Sequence, residues 1–129
     1  MKFEHFGINV PDARASGQWY VDNLGFSIVR SRDEAPYTRF LADETGRVVV
    51  ELYTNPTGGI PAYPAQHPLV FHLAVWSSDV TADRARLEKA GATLFAEETL
   101  PDGSRLTMMR DPWGVALQLC QRAKPFPGF

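Results

Sequence analysis

Apolar and polar residues alternate along four segments of this chain, residues 2–9, 48–53, 69–77 and 115–121. Successive residues of a β-strand point to opposite faces, so the alternation predicts four strands with one apolar face each. The apolar positions are Phe6 and Ile8, followed in the same alternation by Val10 just after the first segment, and Val48, Val50, Leu52, Phe71, Leu73, Val75, Val115, Leu117 and Leu119. The opposite faces carry one strong polar residue per strand, namely His5, Glu51, His72 and Gln118.

The residues that follow the first and third of these strands have helical periodicity. Apolar or small residues recur at helical spacing over residues 12–23 and 79–90, which predicts one helix in each segment. Asp12 and Asp79 stand where a short carboxylate can accept hydrogen bonds from the free amides of the first turn. Gly25 and Gly91 stand where a glycine would end each helix.

The two halves of the chain repeat each other. His5 and His72 are 67 positions apart, and so are Glu51 and Gln118. Residues 3–12 also align with residues 70–79 at that offset. A matched pair of polar residues at matched spacing indicates an internal duplication rather than chance.

Further short strands complete each half as β-α-β-β-β, so the predicted fold class is α+β. We expect these strands at 26–32, 38–42, 93–97 and 105–110. A first module over residues 1–53 and a second over 69–129, ending in a short tail, are expected on either side of a linker. That linker, residues 54–68, holds four prolines and two glycines and is predicted to be a loop or a lid.

The four polar strand residues form a plausible ligand set for a metal. If two curved sheets pair, their polar faces enclose a cavity. Two imidazoles, one carboxylate and one amide oxygen suit a divalent ion of intermediate softness, that is nickel, zinc, cobalt, manganese or iron. A single strand histidine or glutamate is more often an ordinary surface residue, and the symmetry of the four positions is what favours the metal. The predicted ligands are His5, Glu51, His72 and Gln118.

Composition and charge argue against some classes of function. The chain has 129 residues, a net charge of −2 and a charged fraction of 22%, which argues against a nucleic-acid-binding surface. No apolar run approaches the length of a membrane span, and Glu4 and His5 occupy the place of a signal peptide's apolar stretch. We therefore expect a cytoplasmic protein. Cys120 is the sole cysteine, cannot form an internal disulfide, and is expected to fill space in the last strand.

The sequence resembles the vicinal oxygen chelate superfamily over nearly its whole length. This superfamily includes glyoxalase I, methylmalonyl-CoA epimerase, extradiol dioxygenases, fosfomycin-resistance enzymes and bleomycin-binding proteins. The resemblance implies paired βαβββ modules forming one domain. It also implies that His5, Glu51, His72 and Gln118 occupy the four metal-ligand positions. The matching segments are 5–12, 19–26, 51–53, 72–75 and 111–119.

Within that superfamily the residues resemble glyoxalase I most closely. Three positions, His5, Glu51 and His72, are similar to those of the bacterial type, whereas Gln118 stands where that type has a glutamate. An amide cannot take up a proton, so a two-base epimerase is disfavoured. The favoured hypothesis is a glyoxalase-like lyase or isomerase in which a metal stabilises an enediolate and Glu51 is the general base. The alternatives are an extradiol-type dioxygenase using iron or manganese, and a non-catalytic antibiotic-binding resistance protein.

Several side chains are candidates for the substrate pocket. Arg39, Arg105 and Arg110 lie on predicted strands and can meet an anionic group, although surface roles are equally compatible with the pattern. Two-module members of the superfamily usually dimerise, so a homodimer is expected. The candidate substrate-binding residues are Tyr53, Tyr63, Arg39, Arg105 and Trp76.

Overall fold

The computed structural model of the protein describes residues 1–128 and divides the chain into two compact units. The first unit is Met1–Pro61 and the second begins at Ala62. This boundary falls inside residues 54–68, the predicted linker. The predicted tail ends at residue 129, which lies outside the described residues.

The first unit has the element order β-α-β-β-β. Its sheet has the order β1-β4-β3-β2, with β1 parallel to β4 and the other neighbours antiparallel. A short 3-10 turn, Pro56–Gly58, follows the last strand. The elements are β1 (Phe6–Asn9), α1 (Ala13–Leu24), β2 (Ser27–Ser31), β3 (Arg39–Ala42) and β4 (Val48–Tyr53).

The second unit repeats this topology. Its sheet has the order β5-β8-β7-β6, again with a single parallel pair, β5 with β8. A 3-10 turn, Tyr63–Ala65, precedes the first strand. The elements are β5 (Leu73–Trp76), α2 (Val80–Lys89), β6 (Thr93–Thr99), β7 (Arg105–Arg110) and β8 (Ala116–Gln121). The fold is therefore α+β with two βαβββ units, as predicted, and neither sheet closes into a barrel.

Both helices begin where the sequence predicts. The Asp12 carboxylate accepts hydrogen bonds from the amides of Arg14 and Ala15 at 3.0 Å each. The Asp79 carboxylate likewise accepts from the amides of Thr81 and Ala82, at 3.0 and 3.1 Å. Each cap satisfies backbone donors that the first helical turn leaves without a partner.

The core of each unit lies between its helix and one face of its sheet, which we call the helix face. In the first unit α1 buries Tyr20 against the sheet. In the second unit α2 buries Val80 and Leu87. The fully buried strand residues of the two helix faces include Leu41, Val50, Leu52, Met109, Leu117 and Leu119. The opposite face of each sheet is called the far face below.

Strand register places equivalent residues of the two units at equivalent positions. On the far face of the first sheet, one row across the strands reads Gly7, Glu51, Phe40 and Arg30. The matching row of the second sheet reads Ala74, Gln118, Met108 and Ala96. The structure thus pairs Glu51 with Gln118 as equivalent residues, in agreement with the repeat in the sequence.

Two features modify the predicted strands. β1 and β5 begin at Phe6 and Leu73, later than residues 2 and 69, so His5 and His72 each stand one residue before a strand. The edge strands β2 and β6 each contain a bulge, between Ile28 and Arg30 and between Leu94 and Ala96. Among the described residues, no helix has the length and apolar character needed to cross a membrane.

Candidate functional site

The far face of the first unit brings His5 and Glu51 together. Nε2 of His5 lies 3.3 Å from Oε2 of Glu51, and each side chain is about a quarter exposed (26% and 24%). Glu51 is held in the middle of β4, between β1 and β3. Two donor atoms bound to one ion at about 2.1 Å lie roughly 3 Å apart, so this spacing fits a shared metal ion.

The other nitrogen of each candidate histidine faces an oxygen. The Glu4 carboxylate lies against Nδ1 of His5 in a close ion-pair contact. That contact lacks the geometry of a hydrogen bond, so its effect is electrostatic. Nδ1 of His72 lies 3.1 Å from the carbonyl oxygen of Pro68, which can only accept, so Nδ1 is the donor. The contact of His72 places the proton on its Nδ1 and leaves its Nε2 lone pair available to a metal. In His5 a carboxylate faces each ring nitrogen, that of Glu4 at Nδ1 and that of Glu51 at Nε2.

The third histidine has the opposite arrangement. The amide of Leu69 donates to Nδ1 of His67 at 3.2 Å, so the lone pair of Nδ1 is already used. The His67 ring also packs edge-on against Phe95. His67 is therefore a loop residue whose Nδ1 is already engaged, and it makes a suitable control for the other two histidines.

Gln118 lies on the far face of the second sheet with a thiol beside it. The Cys120 thiol donates to Oε1 of Gln118 over 3.3 Å. Cys120 is buried, and burial raises the pKa of its thiol even though Arg122 acts in the opposite direction. The thiol therefore stays protonated, and Gln118 keeps a second lone pair on the same oxygen.

Within residues 1–128, no three His, Cys, Asp or Glu side chains come close enough together to form a metal cluster. Of the four predicted ligands, His5 and Glu51 are neighbours in the first unit. His72 and Gln118 both belong to the second unit. By chemical type, two imidazoles, a carboxylate and an amide oxygen suit a divalent ion of intermediate softness.

Two of the candidate substrate residues are engaged within the protein. Arg39 lies on the helix face, where its aliphatic chain packs beside Gly17. Its guanidinium donates to the carbonyl oxygens of Arg32 and Thr38 and to the Asp33 carboxylate. Arg105 donates to the Thr81 hydroxyl at the start of α2. These contacts give both arginines structural roles.

Arg110 is engaged as well, because it holds the second half of the linker. Its guanidinium donates to the carbonyl oxygens of Tyr63, Gln66 and Gly114, at 2.8, 2.5 and 2.9 Å. The buried Tyr63 is thus fixed to β7 through its backbone. In the first unit the Asn9 side chain holds the other half of the linker, because its amide donates hydrogen bonds to the carbonyl oxygens of Asn55 and Gly59.

The remaining candidates lie on far faces. Tyr53 is half-buried and stands two residues beyond Glu51 in β4, so both side chains point the same way. Trp76 is 46% exposed and shares the far face of the second sheet with Gln118. Glu4 and Phe40 also contact His5 and were not among the residues predicted from the sequence. Phe40 pairs with Glu51 across the strands and packs edge-on against His5, with ring centroids 5.2 Å apart.

The chain belongs to the Glyoxalase/Bleomycin resistance protein/Dioxygenase superfamily, whose sequence profile matches residues 2–119. It is 30% identical over 130 residues to the uncharacterised protein YwbC of Bacillus subtilis (strain 168), covering 94% of this chain and 98% of that one.

Two solved structures illustrate the shared fold. TnmS3, an antibiotic-binding protein from Streptomyces sp. CB03234, superposes with a TM-score of 0.71 at 24% identity, over 95% of this chain and 97% of that chain. The E144Q mutant of glyoxalase I from Zea mays superposes with a TM-score of 0.70 at 22% identity. That match covers 95% of this chain and 46% of the maize chain.

Proposed function

We propose that this protein is a metal-dependent lyase or isomerase of the glyoxalase type, acting on a small carbonyl compound. The observation that carries the proposal is the 3.3 Å approach of Glu51 Oε2 to His5 Nε2. Superfamily membership supports it, because glyoxalases give the superfamily part of its name.

The proposed ligands are those expected from the repeat. His5 and Glu51 supply one imidazole and one carboxylate, and His72 and Gln118 supply the other imidazole and an amide oxygen. The contact of Nδ1 in His72 supports this assignment, since it leaves Nε2 as the available donor atom of that histidine.

The proton-transfer chemistry rests on Glu51. A divalent ion, when bound, supplies Lewis-acid stabilisation of negative charge on a substrate oxygen. The Glu51 carboxylate takes the proton from a hydroxyl-bearing carbon next to the carbonyl and returns it to the carbonyl carbon, so that the carbonyl and the hydroxyl group exchange positions. Gln118, at the equivalent position of the second unit, cannot hold a proton. A single base of this kind favours transfer on one face of the substrate rather than epimerisation between two faces.

The test is proton transfer in the metal-loaded protein. The hemithioacetal of methylglyoxal with glutathione, and that with 2-mercaptoethanol, are supplied to protein loaded with Ni²⁺ or Zn²⁺. Isomerisation and exchange of the substrate C–H in D₂O are followed by NMR. We expect turnover by the parent and by His67→Ala, and loss of at least about a hundredfold in Glu51→Gln, the range for removing a positioned base. Equal turnover by Glu51→Gln and the parent would overturn the role of Glu51.

A second candidate is a small-molecule binding protein. The similarity of fold to the antibiotic-binding protein TnmS3 favours it, as does the neutral far-face row of the second unit, Ala74, Gln118, Met108 and Ala96. A binder would take up its ligand in the presence of EDTA and transform nothing. The extradiol-dioxygenase alternative differs from both, because it would consume oxygen and require iron or manganese. Oxygen uptake with a catechol therefore separates it from the lyase.

A further inference from the structure

Arg30 stands on the same row of the first sheet as Glu51. It pairs with Phe40 across β2 and β3, and Phe40 pairs with Glu51 across β3 and β4. Directly paired residues of antiparallel strands point to the same face. The side chain of Arg30 therefore lies on the far face, two strands from Glu51, with the Phe40 ring between them. Two strand spacings amount to about 10 Å.

The bulge in β2 is what brings Arg30 to this face. Ile28 pairs with the buried Leu41 on the helix face. Strict alternation would then place Arg30 on the helix face too, two residues further on. The extra residue Val29 shifts the register, and Arg30 turns to the far face.

Arg30 is also unlike the other arginines of residues 1–128. It is exposed, and its side chain makes no hydrogen bond, ion pair or ring contact. Every other arginine has at least one such partner, whether a carboxylate, a carbonyl, a hydroxyl or an aromatic ring; these are Arg14, Arg32, Arg39, Arg47, Arg84, Arg86, Arg105, Arg110 and Arg122.

The second unit shows that the fold does not require an arginine at this place. The same bulge occurs in β6 between Leu94 and Ala96, and the equivalent of Arg30 is Ala96. Of these two equivalent positions, only that of Arg30 carries a positive charge, and it lies in the row of Glu51, the candidate base. Ala96 lies in the row of Gln118, which cannot act as a base.

We propose that Arg30 binds the anionic end of the substrate. This inference rests on the proposed function and names a substrate class for it: an aldehyde or ketone that bears a hydroxyl group on the adjacent carbon and is joined to a carboxylate by a short apolar spacer. The carbonyl end would lie at His5 and Glu51, the spacer would cross the ring of Phe40, and the carboxylate would reach the guanidinium. An arginine fork matches a carboxylate in two parallel hydrogen bonds.

The experiment compares two hydroxamates, whose head groups chelate metals. One is suberic monohydroxamate, which ends in a carboxylate, and the other is its neutral methyl ester. Dissociation constants are measured by calorimetry on zinc-loaded protein, for the parent and for Arg30→Gln. The control is Arg14→Gln, which removes the same charge from α1, where Arg14 stacks on Tyr37.

We expect the parent and Arg14→Gln to bind the acid about tenfold more tightly than the ester at low ionic strength. In Arg30→Gln this preference should disappear, while the affinity for the ester stays unchanged. About 0.5 M salt should reduce the preference in the parent, because exposed charges are screened.

The possible failures are distinguishable. Equal binding of acid and ester by the parent would overturn the role of Arg30 and leave the metal site standing. A preference that survives in Arg30→Gln would overturn it as well. If neither hydroxamate binds, the metal site itself is refuted, and with it both the proposed function and this inference.

Discussion

The ring of Tyr53 lies directly over Gly7 on the far face of the first sheet. A Cβ atom on residue 7 would come within 3.1 Å of Tyr53 Cε1 and 3.4 Å of Glu51 Oε2. In the second unit the equivalent residues are Ala74 and Cys120. The smaller side chain of Cys120 leaves room for the methyl group of Ala74. The absence of a side chain at Gly7 thus allows Tyr53 and Glu51 to occupy their positions.

We therefore predict that Gly7→Ala destabilises the protein through Tyr53. Crowding the ring is expected to cost about 1–2 kcal/mol of unfolding free energy. In a Tyr53→Cys background, which reproduces the pair of the second unit, the same substitution should cost close to nothing. Urea denaturation of the four proteins in a double-mutant cycle measures the coupling. An equal cost in both backgrounds would show that Tyr53 is not the residue that Gly7 accommodates.

Removing the charge of Arg39 is predicted to lower the stability of the protein much more than removing the charge of Arg30. Arg39 is 8% exposed and holds the segment from Arg32 to Thr38 through backbone carbonyls. Arg39→Met should lower the unfolding free energy by about 2–4 kcal/mol, because several carbonyls and the Asp33 carboxylate lose their donor. Arg30→Gln, at an exposed site without partners, should change stability by less than about 0.5 kcal/mol. Thermal denaturation of both variants is the measurement, and similar melting temperatures would contradict these assignments.

The helix caps give a matched pair of predictions in the two units. Asp12→Ala and Asp79→Ala should each cost about 1 kcal/mol, since each removes the acceptor for two backbone amides. Asp12→Asn and Asp79→Asn should retain most of that stability, because an amide oxygen accepts the same bonds. Chemical denaturation tests both. A full loss in the asparagine variants would mean that the carboxylate charge, rather than the cap hydrogen bond, is responsible.

The order of elements was readable from the sequence because both periodicities are strong. The alternation of Val48, Val50 and Leu52 marks β4, whose bounds are as predicted. Asp12 marks the start of α1 through a local interaction, the N-cap, which needs no knowledge of the fold. The alternation predicts starts of β1 and β5 that are too early, because a strand extends only as far as a neighbouring strand pairs with it. The pairing of β1 begins at Phe6 with Val50.

The sequence pattern could not predict the surroundings of Arg30 and Arg39, and the reasons are physical. Alternation gives the face of a residue only while the register is unbroken, and the bulge at Val29 moves Arg30 to the opposite face. Arg39 lies on a predicted strand, but alternation alone could not show that its guanidinium is occupied by the carbonyls of the preceding loop. The approach of His5 to Glu51, by contrast, follows from a parallel β1–β4 pair whose register places Gly7 beside Glu51.

Metal binding by the stripped protein and its single-histidine variants tests whether His5 belongs to a metal site. The parent, His5→Ala and His67→Ala are reloaded with a mixture of nickel, zinc, manganese and iron, and metal content is determined by plasma mass spectrometry. We expect about one ion per chain in the parent and in His67→Ala after unbound metal is removed, and loss of most of that metal in His5→Ala, because one of the ligands is missing. Stoichiometric metal in His5→Ala, or none in the parent, would contradict the claim that His5 and Glu51 form part of a metal site.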